Sequence, residues 1–362
     1  MRGEAENIGP QTGHMWLRNA DGGSIADQVC AIPDHETALR MAFDKLQKGK
    51  FASPSAIGHR VVNGGTRYST PQTITPQVLS ELRNLIPLAL VHLPAEIKIM
   101  EAVASQAPQI PQVACFDTAF HRKLPESAQR FPLPRKLFDE GIRRYGFHGL
   151  SYEYVLQELA AEAKEKRLII AHLGNGSSLA AVKEGLPMDT SMGLTPTGGV
   201  MMGTRTGDLD PGLLIYLLRE KRYDAARLER LVDFESGLLG VSEVTSDMKA
   251  LLAKRGSDAR ANQAIAMFCR SVCKEIGAFA AVLGGLDLLV FTGGIGEHAA
   301  PIREEICRDL GHLGVRLDAA RNDAHADVIS TSAGTCQVRV IATNEELMIA
   351  RHTHDAVFGM AR

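Results

Sequence analysis

Two stretches of similar pattern decide the fold, "RLIIAHLGNGSSLAAVKEG" (Arg167–Gly185) and "LDLLVFTGGIGEHAAPIRE" (Leu286–Glu304). Each runs from an apolar strand into a Gly-rich turn. The first turn leads into another apolar run, which predicts a hairpin. The second leads to Pro301, a residue suited to the first turn of a helix. Backbone N–H groups in such turns can approach an anion because no Cβ blocks the way, so we expect phosphate binding here.

Strand and helix patterns alternate through most of the remaining sequence. The runs "SAIGHRVV", "QVACFD" and "VRVIAT" predict buried strands, and helical patterns cover Thr75–Leu85, Ser151–Lys166 and Ala259–Gly284. This alternation favours an α/β fold with a largely parallel sheet. A chain of 362 residues is too long for one ordinary core, so two domains are expected.

The composition excludes several classes of function. Hydrophobic residues make up 45% and charged residues 23% of the chain, the balance of a soluble globular protein. A formal net charge of −2 provides no basic field for nucleic acid or for an anionic membrane. Six scattered cysteines and the lack of a visible signal peptide indicate reduced thiols and a cytoplasmic location.

Polar residues beside turns are the candidates for chemistry. Arg60 ends an apolar strand before a Gly-Gly pair, and Arg205 stands between two turns in "MGTRTGDLDP". Two such guanidinium groups can clamp a carboxylate and a phosphate, although a surface role for Arg60 stays open. Asp117 follows a strand, where α/β sheets place ligand groups. His148, in "RRYGFHGLS", is either a site residue or a structural hydrogen-bonding group.

The segment "TNEEL" (Thr343–Leu347) has the pattern of a helix start. Thr343 and Glu346 have the spacing of a capping box. Glu345 either complements the helix dipole or holds a hard cation such as Mg²⁺. Gly-rich anion turns, two arginines and strand-end acids together indicate a phosphotransferase.

A competing pattern lies in the second Gly-rich stretch. Gly294, Gly296 and Ala299 fit G-x-G-x-x-A, and Asp318 follows at the spacing of a ribose-binding acid. This alternative predicts an NAD-dependent dehydrogenase. A Rossmann unit starting here would have little chain left to complete it.

A series of motifs resembles one known family in order. The motifs are "GHRVVNGG", "FDTAFHRKLP", "RRYGFHG", "HLGNGSS", "DTSMGLTPTGG", "GTRTGDLDP", "ESGLLG", "TSDM", "FTGGIGE" and "TNEEL". They are similar to those of the acetate kinase family, in the acetate and sugar kinase/actin superfamily. The resemblance implies an α/β fold with two ribonuclease H-like (actin-like ATPase) domains and a cleft between them. It places one domain at 1–118 plus 346–362 and a second, nucleotide-binding and dimerisation domain at 119–345.

The resemblance also implies a reaction, namely reversible phosphoryl transfer from ATP to acetate in a homodimer that uses Mg²⁺ or Mn²⁺. It assigns catalysis to Asp117, His148 and Arg205, and metal binding to Glu345. The implied substrate-binding residues are Arg60, Val62, Val91, His92, Phe147 and Pro196. The implied ATP-binding residues are His172, Leu173, Gly174, Asn175, Gly176, Asp247, Met248, Lys249, Gly294, Ile295, Gly296, Glu297 and His298.

The chain departs from the family pattern in several places. Members open with a strand and an Asn-x-Gly-Ser-Ser-Ser-x-Lys turn near the ATP phosphates, whereas this sequence starts "MRGEAENIGPQTG". Either that segment is encoded upstream, or the chain is a catalytically inactive relative. Tyr152 stands where a second histidine is frequent, and His298 where asparagine is usual beside the adenine. Val91 replaces leucine, which enlarges the acid pocket and makes propionate a second expected substrate.

Overall fold

The chain forms two compact units. The computed structural model describes residues 2–9, 12–19, 21–49 and 53–359. Unit 1 comprises Met1–Gly64, Thr70–Phe116 and Ile349–Arg362, and unit 2 comprises Gly65–Ser69 and Asp117–Met348. The domain boundaries implied by the resemblance stay a prediction.

Among its described residues, unit 1 holds two three-stranded sheets and three α-helices of its own. Its elements are β1 (Arg2–Glu6), β2 (Thr12–Arg18), β3 (Ser24–Ala31), α1 (His35–Lys48), β4 (Ile57–Val61), β5 (Gln72–Thr73), α2 (Pro76–Asn84), α3 (Leu93–Gln106) and β6 (Gln112–Phe116). The first sheet is an antiparallel meander in the order β1-β2-β3. In the second, β6 pairs in parallel with β4 and antiparallel with β5.

Local capping fixes the helix starts in unit 1. Asp34 accepts a hydrogen bond from the N–H of Thr37 at the start of α1, and Thr75 accepts one from Val78 before Pro76 of α2. At Gly58 in β4, an added Cβ would lie 2.2 Å from Thr353 Oγ1. Glycine at this position lets the last helix of the chain lie directly on the strand.

Unit 2 carries most of the helices. Its elements are α4 (Glu126–Gln129), α5 (Arg135–Asp139), α6 (Gly149–Leu159), α7 (Glu162–Glu165), β7 (Arg167–Leu173), β8 (Ser177–Lys183), β9 (Leu186–Thr190), α8 (Pro211–Arg219), α9 (Ala225–Phe234), α10 (Gly237–Ser242), α11 (Met248–Lys254), α12 (Ala259–Leu283), β10 (Leu288–Thr292), α13 (Gly293–His298), α14 (Ala300–Cys307), α15 (Ala319–Asp323) and β11 (Gln337–Val340). The last helix, α16 (Glu345–Phe358), starts here and continues into unit 1.

A five-stranded sheet in the order β11-β10-β7-β8-β9 organises unit 2. β10 pairs in parallel with β11 and with β7, whereas β7/β8 and β8/β9 are antiparallel. The expected largely parallel sheet is therefore wrong, and the sheet is mixed. The three-residue turn Gly174–Gly176 explains this, because a connection so short allows only a hairpin. The hairpin predicted for this stretch is confirmed.

The sheet of unit 2 is buried on both faces. Ile169, Ala171 and Leu173 of β7 face a core that includes Phe268 of α12, and the alternate residues Leu168 and Ile170 face α6 and α7. A strand buried on both sides has a continuous apolar sequence, which is what "RLIIAHL" shows. The Gly-rich turns at the strand ends are thus attached to a rigid framework.

Two local predictions need correction. The single helix expected over Ser151–Lys166 is two helices, because Ala160 ends α6 with φ 49° and ψ −121° and α7 begins afresh. The second Gly-rich turn is itself helical: α13 spans Gly293–His298, and α14 follows with Pro301 in its first turn as predicted. Within the described part of the chain, no helix has the length and apolar character that crossing a bilayer requires.

Candidate active site

The hairpin turn between β7 and β8 packs against the segment that carries Arg205. The N–H of Gly203 donates to the carbonyl of Asn175 over 3.0 Å, and a Cβ on Gly203 would lie 2.0 Å from Asn175 Oδ1. Ser177 closes the turn by donating to the carbonyl of Gly174 over 3.0 Å. The turn therefore has one conformation and holds the arginine segment beside it.

Neighbouring segments hold both the side chain and the backbone of Arg205. Its Nη1 donates to the carbonyl of Pro196 over 2.9 Å. The backbone of Arg205 lies against the start of α10 at Gly237, where a φ of +61° and an added Cβ 2.2 Å from the carbonyl of Met202 and 2.8 Å from that of Arg205 exclude a side chain. A Cβ placed on Gly176 would lie 3.4 Å from Arg205 Nη1. Glycine at position 176 thus leaves space in front of the guanidinium.

His148 faces the same space. A Cβ on Gly176 would lie 3.5 Å from His148 Nε2, while His148 Nδ1 lies 2.8 Å from Ser178 Oγ. The backbone of His148 is left-handed, with φ 59°, a strained conformation that the surrounding packing must maintain. The next residue, Gly149, donates its N–H to the carbonyl of Asp117, and no side chain fits there. Phe147 is buried just before the turn.

A second imidazole lies against the first. The rings of His148 and His172 stack with centroids 4.3 Å apart and planes 17° apart. His172 Nδ1 lies 2.9 Å from Ser151 Oγ, which also receives a hydrogen bond from the hydroxyl of Thr343. His172 therefore supports the His148 ring, and the ATP contact implied for it stays a prediction. The side chain of Leu173 belongs to the hydrophobic core.

The start of α16 differs from the predicted capping box. Asn344 caps the helix by accepting the N–H of Leu347 over 3.0 Å. Thr343 is committed elsewhere, because its N–H donates to Glu297 Oε1 and its hydroxyl to Ser151. Glu345 follows in the first turn, where a carboxylate complements the helix dipole.

Two carboxylates share the surroundings of the Tyr152 hydroxyl. Burial is the largest cause that raises the pKa of Tyr152, and the charges of Asp117 and Glu345 raise it further, while the hydrogen bond with Ser178 opposes the rise. Asp117 is fully buried directly after β6. Among the residues that the structure describes, no group of three or more His, Cys, Asp or Glu side chains is arranged to hold a metal ion.

A cavity of about 790 Å³ adjoins the hairpin turn within unit 2. Predicted ATP-binding residues form most of its wall. Its lining residues are Gly174, Asn175, Ser246, Asp247, Met248, Lys249, Leu252, Gly294, Ile295, His298 and Ala299. The predicted ATP-binding residues do not include Ser246, Leu252 and Ala299, of which the sequence had marked only Ala299, in the competing dinucleotide pattern. Leu252 lies one helical turn after Met248 on α11, so the 3.6-residue period was the available signal.

Other predicted residues of these loops have structural contacts. Gly296 is buried, and Glu297 Oε1 accepts the N–H of Gly293 over 2.9 Å and so fixes the start of α13. Asp318 does not end a strand: it caps α15 by accepting the N–H of Arg321. The acid required by the dinucleotide pattern is therefore a helix cap.

The remaining predicted residues lie in unit 1. Arg60 is half-buried on β4, and Val62, just after that strand, is buried with its N–H donating to Glu96 Oε2 over 3.1 Å. Val91 is 39% exposed in the segment before α3, and His92 is the residue at the N-terminal cap of that helix.

The Gly-rich turns around the cavity, next to an arginine and a histidine, have the chemistry that suits a phosphorylated ligand. The model of the acetokinase family matches residues 1–351, and the chain belongs to that family. It is 48% identical over 350 residues to an acetate kinase of Rhodopseudomonas palustris, covering 94% of this chain and 87% of the relative.

Comparison with solved structures supports the same family assignment. A crystal structure of Porphyromonas gingivalis acetate kinase superposes with a TM-score of 0.86 at 37% identity, covering 98% of this chain and 92% of that one. A propionate kinase from Francisella tularensis gives a TM-score of 0.92 at 36% identity with the same coverage. The α/β fold of two actin-like ATPase domains is thereby confirmed, and the dehydrogenase alternative is wrong.

Proposed function

We propose that this chain catalyses reversible phosphoryl transfer from ATP to the carboxylate of acetate, giving acetyl phosphate and ADP. The observation that carries the proposal is the convergence of Arg205 and His148 Nε2 on the space left by Gly176, beside the cavity. Cationic and hydrogen-bonding groups aimed at one point suit a phosphoryl group, whose charge is spread over its equatorial oxygens.

The reaction needs positioning more than acid–base chemistry. A carboxylic acid with a pKa near that of glutamate is ionised at neutral pH, so no base has to activate it. A carboxylate oxygen attacks the γ-phosphorus, the bond from that phosphorus to the β-bridging oxygen breaks, and ADP leaves with the electron pair. Arg205 neutralises charge on the phosphoryl oxygens, and Arg60 is proposed to bind the carboxylate. From membership of the family, we propose substrate-binding roles for Val62, Val91, His92, Phe147 and Pro196.

The cavity is proposed as the ATP site. Its volume falls in the range of about 300–1,000 Å³ typical of small-molecule sites. The glycine turn at Gly174 and the open backbone at Gly294, where an added Cβ meets no atom within 4 Å, allow close approach of the nucleotide. Ile295 supplies an apolar wall, and His298, 76% exposed, supplies a polar edge for the base.

Mg²⁺ is the proposed cofactor, and Mn²⁺ is an alternative with the same ligand preference. The residues present suit a hard cation, because Asp117 and Glu345 both lie near enough to Tyr152 for their charges to raise its pKa, and carboxylate oxygen is the donor that Mg²⁺ prefers. When bound with ATP, the ion supplies positive charge that offsets the phosphate charge. Glu345 is the proposed ligand, and Asp117 is proposed to position the hydrated ion or Arg60.

The test is an acyl-phosphate assay in which hydroxylamine traps the product as a hydroxamate. We expect product from acetate with Mg-ATP. Arg205→Lys should lower kcat/KM by about 100-fold, because an ammonium cannot reproduce the guanidinium contacts. Arg316→Lys, at an exposed position outside the site, should leave kcat/KM unchanged. Lack of acyl phosphate from the unaltered chain at saturating substrates would overturn the proposal.

Propionate is proposed as a second substrate. Val91 is smaller than the leucine common in the family, and one methylene of extra room changes discrimination by about 1–3 kcal/mol at most. The structural similarity to a propionate kinase supports this proposal. Comparing kcat/KM for acetate, propionate and butyrate tests it, and strict preference for acetate would contradict it.

We also propose a homodimer in the cytoplasm. The helix α8 exposes Leu213, Ile215, Tyr216 and Leu218, each between 40% and 50%, and a second copy of the chain is the proposed occupant of this face. All six cysteines are free thiols, which agrees with a reducing compartment. Sedimentation analysis of Ile215→Glu tests the interface: we expect monomers, while a dimer of unchanged stability would exclude this face.

A further inference from the structure

A line of buried hydroxyl groups lies behind His148. Tyr152 on α6 hydrogen-bonds through its hydroxyl to Ser178 Oγ on β8, and Ser178 Oγ lies 2.8 Å from His148 Nδ1. Tyr152 and Ser178 are fully buried, and His148 is 9% exposed. Water therefore cannot easily replace either hydroxyl group. The hydroxyl protons of Tyr152 and Ser178 have few acceptors other than each other and His148.

The direction of the hydrogen bonds follows from the chemistry of the two hydroxyls. A tyrosine phenol, with a pKa of about 10, is protonated at neutral pH, and the full burial of Tyr152 favours this uncharged form. A phenol is the better donor and the poorer acceptor of the pair, because its oxygen lone pair is delocalised into the ring. Tyr152 therefore donates to Ser178, and the single proton of Ser178 is left to donate to His148 Nδ1.

A histidine whose Nδ1 accepts carries its proton on Nε2 in the neutral form. That nitrogen faces the space in front of Gly176 that Arg205 also faces. The stack on His172, itself held by Ser151, fixes the plane of the ring. The hydroxyl groups of Tyr152 and Ser178 thus determine the tautomer of His148, and stacking on His172 determines the orientation of its ring.

We propose that Tyr152 is a positioning residue that, through Ser178, holds His148 in the Nε2–H tautomer, so that this N–H donates to the transferring phosphoryl group. The identity of the group that receives the N–H rests on the proposed function. The tautomer of His148 is independent of the proposed function, because it follows from contacts within unit 2. Tyr152 itself touches neither substrate in this scheme and acts only through Ser178 and His148.

The first test reads the tautomer directly. In protein labelled with ¹⁵N-histidine, long-range ¹H–¹⁵N spectra distinguish a protonated from an unprotonated ring nitrogen, and His148→Gln identifies the signals by their loss. We expect Nε2 protonated and Nδ1 unprotonated in the unaltered chain, and a mixture of tautomers in Tyr152→Phe. A protonated Nδ1 in the unaltered chain, or a spectrum of His148 unchanged by Tyr152→Phe, would overturn the proposal.

The second test separates positioning from folding. Tyr152→Phe should lower kcat by about 10- to 100-fold, below the roughly 100- to 1,000-fold loss for removing such a donor outright, with KM for both substrates nearly unchanged. Ser178→Ala should do the same, the double variant should be no worse than the more damaging single one, and Ser178→Thr should restore activity. The matched control is Tyr145→Phe, which removes another buried hydroxyl, one that donates to the carbonyl of Gly141.

The two proposals can fail separately. If His148 carries the Nε2 proton but no acyl phosphate forms, the proposed function is wrong and the hydroxyl line stands. If acyl phosphate forms and Tyr152→Phe loses no more activity than Tyr145→Phe, the positioning role is wrong and the function stands.

Discussion

Arg303 donates two hydrogen bonds to Asn322, from Nε to the side-chain oxygen over 2.8 Å and from Nη2 to the backbone carbonyl over 2.7 Å. The guanidinium is fully buried, and burial lowers its pKa. Its Nη1 also donates to the carbonyls of Gly296 and Glu297, which end α13 at the proposed ATP cavity. The Arg303 side chain therefore joins α15 to the C-terminal end of α13.

Arg303→Met should destabilise unit 2 and weaken nucleotide binding together. Each buried acceptor left without a partner costs about 1–3 kcal/mol, so we expect the free energy of unfolding to fall by roughly 3–5 kcal/mol. Urea unfolding measures the loss, and calorimetric titration with ATP at low temperature measures the affinity. Arg316→Met, at an exposed position, is the control. A loss of stability below about 1 kcal/mol would show that water replaces the guanidinium.

Gly294→Ala should separate binding from stability. No atom lies within 4 Å of the added Cβ, and alanine in a helix is about 0.5–1 kcal/mol more favourable than glycine, so Tm should stay or rise. The same Cβ enters the cavity, so KM for ATP should rise by about tenfold, which corresponds to about 1.4 kcal/mol. Gly277→Ala is the matched control, because it lies inside α12 with equally open surroundings but outside the cavity lining. Equal KM values in the two variants would exclude Gly294 from the ATP site.

Much of this cavity was visible in the sequence because its glycines and strand ends are local features. The turn at Gly174–Gly176 and the start of α14, which has Pro301 in its first turn, follow from the backbone chemistry of a few residues. The choice of Asn344 over Thr343 as the helix cap cannot be predicted in this way, since asparagine and threonine are both favourable residues at the N-terminal cap of a helix. The contacts of Thr343 with Ser151 and Glu297, far away in the chain, decide it.

The support behind His148 was equally beyond sequence reasoning. Ser178 and Tyr152 are separated by 26 positions and meet only because β8 pairs with β7 beneath α6. The mixed direction of the sheet likewise depends on the turn length between β7 and β8, and the apolar runs themselves are the same in a parallel or an antiparallel strand.

Glu275 on α12 should make stability depend on pH. Burial, together with the charges of Asp208 and Asp189, raises the pKa of this carboxyl to about 7, although Arg144 and Lys274 oppose the rise. In the unfolded chain the group titrates near its ordinary value of 4.5. Between these values the unfolded chain has lost the proton and the folded chain keeps it, so the contribution of Glu275 to stability falls as pH rises.

Glu275→Gln removes this contribution, because the amide does not titrate. We expect the variant to exceed the unaltered chain in unfolding free energy by roughly 2–3 kcal/mol at about pH 8, with the difference vanishing near pH 4.5. Urea unfolding across this range measures it, and Glu220→Gln at an exposed position is the control. A difference that is constant with pH would mean that Glu275 has an ordinary pKa in the folded state.

Asp117→Asn tests whether this carboxylate positions hydrated Mg²⁺ or Arg60, since the acceptor acid needs no base. The amide keeps the shape of the side chain and removes its charge. We expect kcat to fall by about 10- to 100-fold and the Mg²⁺ concentration for half-maximal rate to rise, in line with the loss of an outer partner of a metal site. The measurement is a Mg²⁺ titration of the hydroxamate assay at fixed ATP. Asp318→Asn is the control, because Asp318 caps α15 and asparagine caps equally well. If Asp117→Asn left both the rate and the Mg²⁺ dependence unchanged, the carboxylate would have neither role, and its burial would serve the fold alone.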